Sequence, residues 1–359
     1  MIPYGRQSVD DDDVAAVVAV LKGDWLTQGP HVAEFEEAFA GRVEAEYAVA
    51  FSNGTAALHA ACAAAQLGPG DVVATSTLSF VASANCARYV GAAVRLLDID
   101  PETLNVDPTS VPPVDGFVAV HYAGLPMDLS ALRERPRVVI EDAAHAIGAR
   151  TPNGPVGNCA HSDLCCFSFH PVKTMTTGEG GMVTTNDAKL ADRLRRFRHH
   201  GIEPHPERGG WAYDVVELGY NARLTDMQAA LGTSQLAKLD RFLGRRATIA
   251  DRYRDVLAPL AVTLPPDAPT GVGHGLHLFP IRVPQRDAVY ASMRDAGIGV
   301  QVHYVPIHQL AAYQPVVGAF PQADRAYEQL LSLPLFPDLT ETEQDEVVAA
   351  LRRALAATS

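Results

Sequence analysis

Positive charge is scarce in this sequence. Against 42 Asp and Glu there are 29 Lys and Arg, a formal charge of −13 at pH 7. The densest basic stretch is Arg193-Leu194-Arg195-Arg196-Phe197-Arg198. Binding to nucleic acid or to an anionic membrane needs a basic face, so neither is expected as a partner. A phosphate-bearing ligand must then be held by local amides and a few placed cations. Long apolar runs are missing too: no segment reaches the roughly 18 consecutive apolar residues of a membrane span. The opening Met1-Ile2-Pro3-Tyr4-Gly5-Arg6 has no apolar signal core, which predicts no export. The 5 cysteines (Cys62, Cys86, Cys159, Cys165 and Cys166) show no C-x-x-C spacing. That speaks for buried thiols in a reducing compartment and against disulfides or a zinc site. A cytoplasmic protein is expected. What is present, 47% hydrophobic and 20% charged residues over 359 positions, is enough for one large domain and a smaller one with a sizeable core.

Along the chain, residues 2–7 read as extended and Ser8 as the N-cap of a helix whose Val9, Val14, Val17, Val18 and Leu21 share a face. A polar loop, Asp24 to Pro30, leads to a short helix over residues 32–39. From residue 47 the pattern alternates. Short apolar strands are expected at 47–51, 71–75, 94–97, 118–120, 138–140, 165–167 and 182–185, with helices at 56–66 and 79–89 between them. Continuous apolar runs of this length indicate strands buried on both faces, hence a largely parallel sheet with its ligand at the strands' carboxyl ends. A basic helix from 188 to 200, a Gly- and Pro-rich loop at 201–219 and a long helix at 225–244 follow. Beyond 245 the character changes to a smaller α+β unit, with strands at 278–283 and 300–303 and helices at 286–296 and 342–356. The expected division is therefore a large α/β domain, 1–244, and a small C-terminal α+β domain, 245–359.

The chemistry concentrates in residues 138–185. An apolar strand ends in Glu141-Asp142-Ala143-Ala144-His145; a second leads to Ser168 and Lys173, and Thr176-Thr177-Gly178-Glu179-Gly180-Gly181 closes the stretch. A lysine in a segment otherwise poor in charge can be a nucleophilic amine. It could carry pyridoxal phosphate as a Schiff base while a buried carboxylate keeps the pyridine nitrogen protonated. Ser52-Asn53-Gly54-Thr55, between strand and helix, is placed to hold the phosphate, as is Ser168; Phe80 could stack on the ring and His145 reach its phenolic oxygen. Taken singly, each has an ordinary explanation: a capped turn, a strand-end Asp, a structural His, a core Phe, a solvated Lys. Their order along one α/β unit gives them weight together. The histidines of His199-His200-x4-His205 and His274-x2-His277 lack metal-ligand spacing and nearby carboxylates, and read as surface or loop residues.

Seven stretches carry a resemblance. They are Asp24-Trp25-Leu26-Thr27-Gln28-Gly29-Pro30, Ser52-Asn53-Gly54-Thr55-Ala56-Ala57-Leu58, Glu141-Asp142-Ala143-Ala144-His145-Ala146-Ile147-Gly148-Ala149, Phe167-Ser168-Phe169-His170-Pro171-Val172-Lys173, Gly178-Glu179-Gly180-Gly181, Gly219-Tyr220-Asn221-Ala222-Arg223-Leu224-Thr225-Asp226 and Ser332-Leu333-Pro334-Leu335. Over essentially its whole length the chain resembles the DegT/DnrJ/EryC1/StrS family of sugar aminotransferases, pyridoxal-phosphate enzymes of fold type I. The resemblance implies a mostly parallel central sheet flanked by helices, Lys173 as the catalytic, Schiff-base lysine and Asp142 as partner of the pyridine nitrogen. It implies His145 near the phenolic oxygen, Phe80 on the ring, and Gly54, Thr55, Ala56 and Ser168 on the phosphate. Asn221 would reach the phosphate of a neighbouring subunit, which implies a homodimer with shared active sites.

Within that family the likeness is to members that aminate C4 of UDP-2-acetamido-2,6-dideoxy-β-L-arabino-hexos-4-ulose with L-glutamate, in the pseudaminic acid pathway. It implies Tyr4, Trp25, Leu26, Thr27, His303 and Tyr304 as substrate contacts. Two departures bear on the sugar pocket: Ala222 stands where an aromatic is frequent, and Gly178 where Ala is frequent. The competing expectations are the same chemistry on another nucleotide-linked keto sugar, the dehydratase branch of the fold, and a non-catalytic cofactor-binding regulator. Lys173 speaks against the dehydratases, which carry His there. The regulator would predict a DNA-binding module.

Overall fold

In a computed structural model, which describes residues 1–315 and 317–358, the short apolar runs pair into one sheet. Its strands are β1 (Tyr47–Phe51), β2 (Val72–Ser76), β3 (Ala93–Leu97), β4 (Gly116–Val120), β5 (Val138–Asp142), and, after a two-residue hairpin β6 (Arg150–Thr151) and β7 (Gly154–Pro155), β8 (Leu164–Ser168) and β9 (Gly181–Thr185). The order across the sheet is β1-β9-β8-β5-β4-β2-β3. β9 runs antiparallel to both neighbours, and the other pairings inside the sheet are parallel. Alternate side chains of the inner strands enter two separate cores, as a period of 2 requires. Val49, Leu164, Cys166 and Val183 join the core under α3 (Gly54–Ala64), α4 (Ala82–Tyr89) and α5 (Ala188–Arg198). Ala48, Cys165, Phe167 and Met182 join that under α2 (Pro30–Val43) and α6 (Asp226–Ala237). The architecture is the expected one: α/β, a mostly parallel sheet flanked by helices.

A second core gathers Tyr253 and Leu257 of α7 (Leu239–Leu257), Phe279 and Ile281 of β12 (Phe279–Arg282), Met293 of α8 (Arg286–Asp295), Leu331 and Leu333 of β13 (Leu330–Leu333), and Leu351 of α10 (Glu341–Thr358). Ile2, from the other end of the chain, is buried in it. Its amide donates to the Gly297 carbonyl (2.9 Å), its carbonyl accepts from Gly299 (2.6 Å), and Leu335 N donates to the Tyr4 carbonyl (3.0 Å). The N-terminal residues are thereby tied to the C-terminal unit, and Tyr4 is brought beside His303.

Several local expectations are corrected. The first helix, α1 (Asp11–Leu21), is capped by Asp10, not Ser8; Asp10 and Asp13 form a reciprocal capping box, while Ser8 Oγ donates to Asp338 (3.0 Å). The valine face does not enter the core: Val9, Val14, Val18 and Leu21 are exposed, and Asp13 is buried instead. There Asp13 takes Lys238 Nζ (2.6 Å), Ser234 Oγ (2.6 Å) and Gln235 Nε2 (2.7 Å), so polar bonds hold α1 to α6. The helix foreseen at 225–244 is two helices, α6 and α7, broken at Lys238, and α7 runs on past residue 244. The loop at 201–219 contains a hairpin, β10 (Ile202–Pro204) with β11 (Tyr213–Val215). The strand foreseen at 300–303 is a single bridge, Gln301 to Ser332.

Candidate active site

The site is built at the carboxyl edge of the parallel strands. β1 ends in the turn Ser52-Asn53, and Asn53 caps α3 by accepting from Ala56 N (2.8 Å). Gly54 and Thr55 occupy the first turn, where a helix leaves its amides without intrahelical acceptors. The turn lies close against the neighbouring strands. A Cβ on Gly181 would stand 2.4 Å from the Asn53 carbonyl oxygen, and one on Gly54 would stand 2.8 Å from Ser168 Cβ. Glycine is needed at both positions for this approach. The Ala56 amide donates to the Asn53 cap, and Ala56 is not among the residues that line the cavity.

β5 ends in Asp142, nearly fully buried. Its Oδ2 accepts from Ser83 Oγ at 2.6 Å and its Oδ1 from Ala144 N at 3.2 Å. Lys173 sits in the turn between β8 and β9, its amide bonded to the His170 carbonyl (2.8 Å). Among the described residues nothing hydrogen-bonds or ion-pairs with its Nζ. Burial pulls its ammonium down to about 8, opposed by the Asp142 carboxylate; the amine is thus partly free near neutral pH. His145 Nε2 lies 3.0 Å from Tyr304 Oη, and its ring packs against His277, tilted by 45° with centroids 4.4 Å apart. Burial, with Lys173 and His303 adding like charge, holds His145 neutral. His303 is buried; its Nδ1 is 2.9 Å from Ser332 Oγ, its ring meets Tyr4 at 5.2 Å, and its carbonyl accepts from Tyr122 Oη. Burial and Lys173 lower His303 to about 3.

One cavity of about 590 Å³ joins these groups. Lys173, Asp142, His145, Ser168, Gly54, Thr55, Phe80, Tyr4, His303 and Tyr304 all line it, as do Asn53 and Glu179. Trp25, Leu26 and Thr27 do not: they are exposed on a loop tied to α6, where Leu26 O accepts from Asp226 N (3.1 Å) and the Asp226 carboxylate accepts from Gly29 N (2.9 Å). Asn221 is likewise exposed, bridged to His199, and does not reach the cavity of its own chain. His277, read as a loop histidine, is buried against His145. Ser83, which anchors Asp142, and Tyr122, which holds the His303 carbonyl, carry no motif and were not foreseen; Ser332 belongs to a motif, but its bond to His303 was not foreseen.

These residues fit pyridoxal phosphate. Lys173 offers an unpaired amine of lowered basicity, Asp142 a fixed carboxylate, and the α3 start with Ser168 a cradle of amides and hydroxyls. Residues 7–352 match the model of the DegT/DnrJ/EryC1/StrS aminotransferase family. The chain is 35% identical to the spore coat polysaccharide biosynthesis protein SpsC of Bacillus subtilis, over 98% of this chain and 96% of that protein. Helicobacter pylori PseC, an aminotransferase involved in the biosynthesis of pseudaminic acid, superposes with a TM-score of 0.93 at 27% identity, covering 99% of each chain. Spr1654 of Streptococcus pneumoniae superposes in its PMP form with a TM-score of 0.94 at 26% identity, covering 100% of each chain. It has also been solved in a PLP form, which superposes at 0.92.

Proposed function

The chain belongs to the DegT/DnrJ/EryC1/StrS aminotransferase family, a pyridoxal-phosphate-dependent sugar aminotransferase by its relatives, and on that premise we propose that it moves the amino group of L-glutamate to C4 of a nucleotide-linked 4-keto-6-deoxy sugar. The substrate that best suits the reading is UDP-2-acetamido-2,6-dideoxy-β-L-arabino-hexos-4-ulose. The enzyme would then be a UDP-4-amino-4,6-dideoxy-N-acetyl-β-L-altrosamine transaminase acting in the cytoplasm. The likeness to PseC over both whole chains supports this choice of sugar. The observation that carries the reaction type is Lys173 Nζ: unpaired, lowered to about 8, and in one cavity with a hydrogen-bonded Asp142.

Pyridoxal phosphate, when bound, supplies an electron sink and carries the amino group between donor and sugar. The chain supplies the rest. Asp142, held by Ser83 Oγ and the Ala144 amide, would keep the pyridine nitrogen protonated. Gly54, Thr55 and Ser168 would bind the phosphate, and Phe80 would cover one face of the ring. Lys173 Nζ, as a free amine, would carry a proton from the cofactor's C4′ carbon to sugar C4, acting first as general base and then as general acid. Tyr4, His303 and Tyr304, which line the cavity, would contact the sugar. With His145 and His303 both uncharged, Lys173 is the movable proton carrier among them.

The test is incubation of the purified enzyme with L-glutamate and a panel of UDP- and dTDP-linked 4-keto sugars, with product stereochemistry read by NMR. Amination at C4 of the UDP-linked acetamido sugar is expected. Conversion of dTDP sugars alone would overturn this choice of substrate while leaving the aminotransferase.

A further inference from the structure

His145 poses a proton-placement problem whose solution reaches into the cavity. Its Nε2 lies 3.0 Å from Tyr304 Oη. Its Nδ1 is sealed from solvent and has no hydrogen-bond partner among the described residues, and the same holds for Nδ1 of His277, whose ring lies tilted against it with centroids 4.4 Å apart. A neutral imidazole carries one proton. On Nδ1 that proton would be a buried N–H without an acceptor, the costlier kind of orphan; on Nε2 it is donated to Tyr304 and only a lone pair stays unmatched. The second arrangement is therefore favoured. It has a consequence for Tyr304, whose oxygen then accepts from His145 and whose own O–H has no other acceptor among the described residues. Tyr304 lines the cavity that Lys173 also lines.

We propose that Tyr304, oriented by His145, is the hydrogen-bond donor to a negatively charged oxygen beside Lys173. His145 is then a positioning residue: both of its nitrogens are committed, Nε2 to Tyr304 and Nδ1 to a sealed interior, so it acts on that oxygen through the tyrosine. The surroundings keep the pair in this state. Burial, and the neighbouring Tyr122, Tyr4 and Asp142, push the Tyr304 hydroxyl well above its ordinary value, so it stays a donor. Burial, Lys173 and His303 keep His145 from becoming a cation. His277 is kept neutral by burial, with His145, Lys173, Arg246 and His303 adding to the effect. Two sources of such an oxygen fit the chemistry, the phenolic oxygen of the cofactor and the sugar's keto oxygen, which would become negative as the amine adds to its carbon. The role rests on the aminotransferase reading above.

The first measurement needs no cofactor. In the cofactor-free protein with 13C-labelled histidine, the Cδ2 shift of His145, assigned with a His145→Asn sample, reports which nitrogen bears the proton. The Nε2–H form is expected, and an Nδ1–H form overturns the proposal. The second measurement uses Tyr304→Phe holoenzyme of unchanged near-UV circular dichroism. If the phenolic oxygen is the acceptor, the pH midpoint of the lysine-linked cofactor's visible band rises by about one to two units, the size of a lost charge-assisted bond. If the keto oxygen is the acceptor, the midpoint is unmoved and kcat with the keto sugar falls about tenfold or more while the reaction with glutamate is unchanged. A Tyr304→Phe enzyme that matches wild type on both counts overturns the proposal. Failure of the wild type to take up cofactor would instead sink the aminotransferase reading, and leaves the histidine measurement independent of it.

Discussion

Ser83 Oγ donates a 2.6 Å hydrogen bond to Asp142 Oδ2 inside the sheet edge. Ser83 lies on the first turn of α4, its hydroxyl also 2.7 Å from Ser79 Oγ, and together these bonds fix where the carboxylate points. Among the described residues Asp142 has one other donor, the Ala144 amide. Replacing Ser83 with Ala removes the shorter of the two without opening a large hole. The loss of one hydrogen bond to a charged group is worth about 1.5 kcal/mol, so the dissociation constant for pyridoxal phosphate should rise roughly tenfold. Titration of the cofactor-free variant, followed in the visible band, checks it. An unchanged constant would mean that the Ala144 amide alone suffices.

Lys173 gives a pH dependence with a definite sign. Its ammonium is lowered to about 8 by burial, against the opposing pull of Asp142. The neutral amine is the form that attaches the cofactor, and it grows as pH rises through that value. The rate of cofactor attachment should therefore climb from about pH 7 to about pH 9 and level off above. Stopped-flow mixing of cofactor-free enzyme with pyridoxal phosphate reads the midpoint directly. Lys173→Ala should lose both the visible band and turnover; a variant that keeps the two would remove Lys173 from its role.

The anchor of α1 is a stability prediction. Asp13 is fully buried and takes Lys238, Ser234 and Gln235 together. Asp13→Ala would leave Ser234 Oγ without its acceptor, Lys238 with Asp10 alone and Gln235 with the Ser8 carbonyl alone, at about 2 kcal/mol. Thermal unfolding should start several degrees lower, with the visible band of the folded fraction unchanged. Val14→Ala on the same helix, whose side chain is exposed, should leave the melting of the isolated chain close to wild type.

These cases also mark how far the sequence could be read. The inner strands were legible because residues such as Val138-Val139-Ile140 are apolar without alternation, and the structure buries both faces of that strand. Lys173, Asp142 and Ser168 were legible because strand ends and glycines place them locally. The anchor of α1 was not: a run of valines at helical spacing looked like a core face, and only the tertiary neighbours Lys238 and Gln235 make the acidic side the inner one. Ser83 and Tyr122 were invisible for the same reason. Each works through a partner 59 or more positions away, and nothing near it in sequence signals the contact.

Asn221 and the loop at Trp25 belong to the last prediction. They were expected at the site, yet both are exposed and outside the cavity of their own chain. Among the described residues Lys173 is the only lysine or arginine lining that cavity, so a dianionic phosphate would meet amides and hydroxyls of one chain and no side-chain cation beyond the lysine. A second copy of the chain is proposed to complete it, with Asn221 crossing over. If so, the Lys173→Ala defect and an Asn221→Ala defect reside in different halves of each shared site. Each variant alone should be impaired, Lys173→Ala wholly. In a hybrid dimer of the two, one site carries both defects and the other carries neither. Random pairing at equal amounts makes half the dimers hybrid, so the mixture should regain roughly a quarter of wild-type activity. Co-expression of two differently tagged variants, tandem purification and assay of glutamate turnover provide the measurement. If the purified hybrid is no more active than the better parent, Asn221 acts within its own chain or not at all.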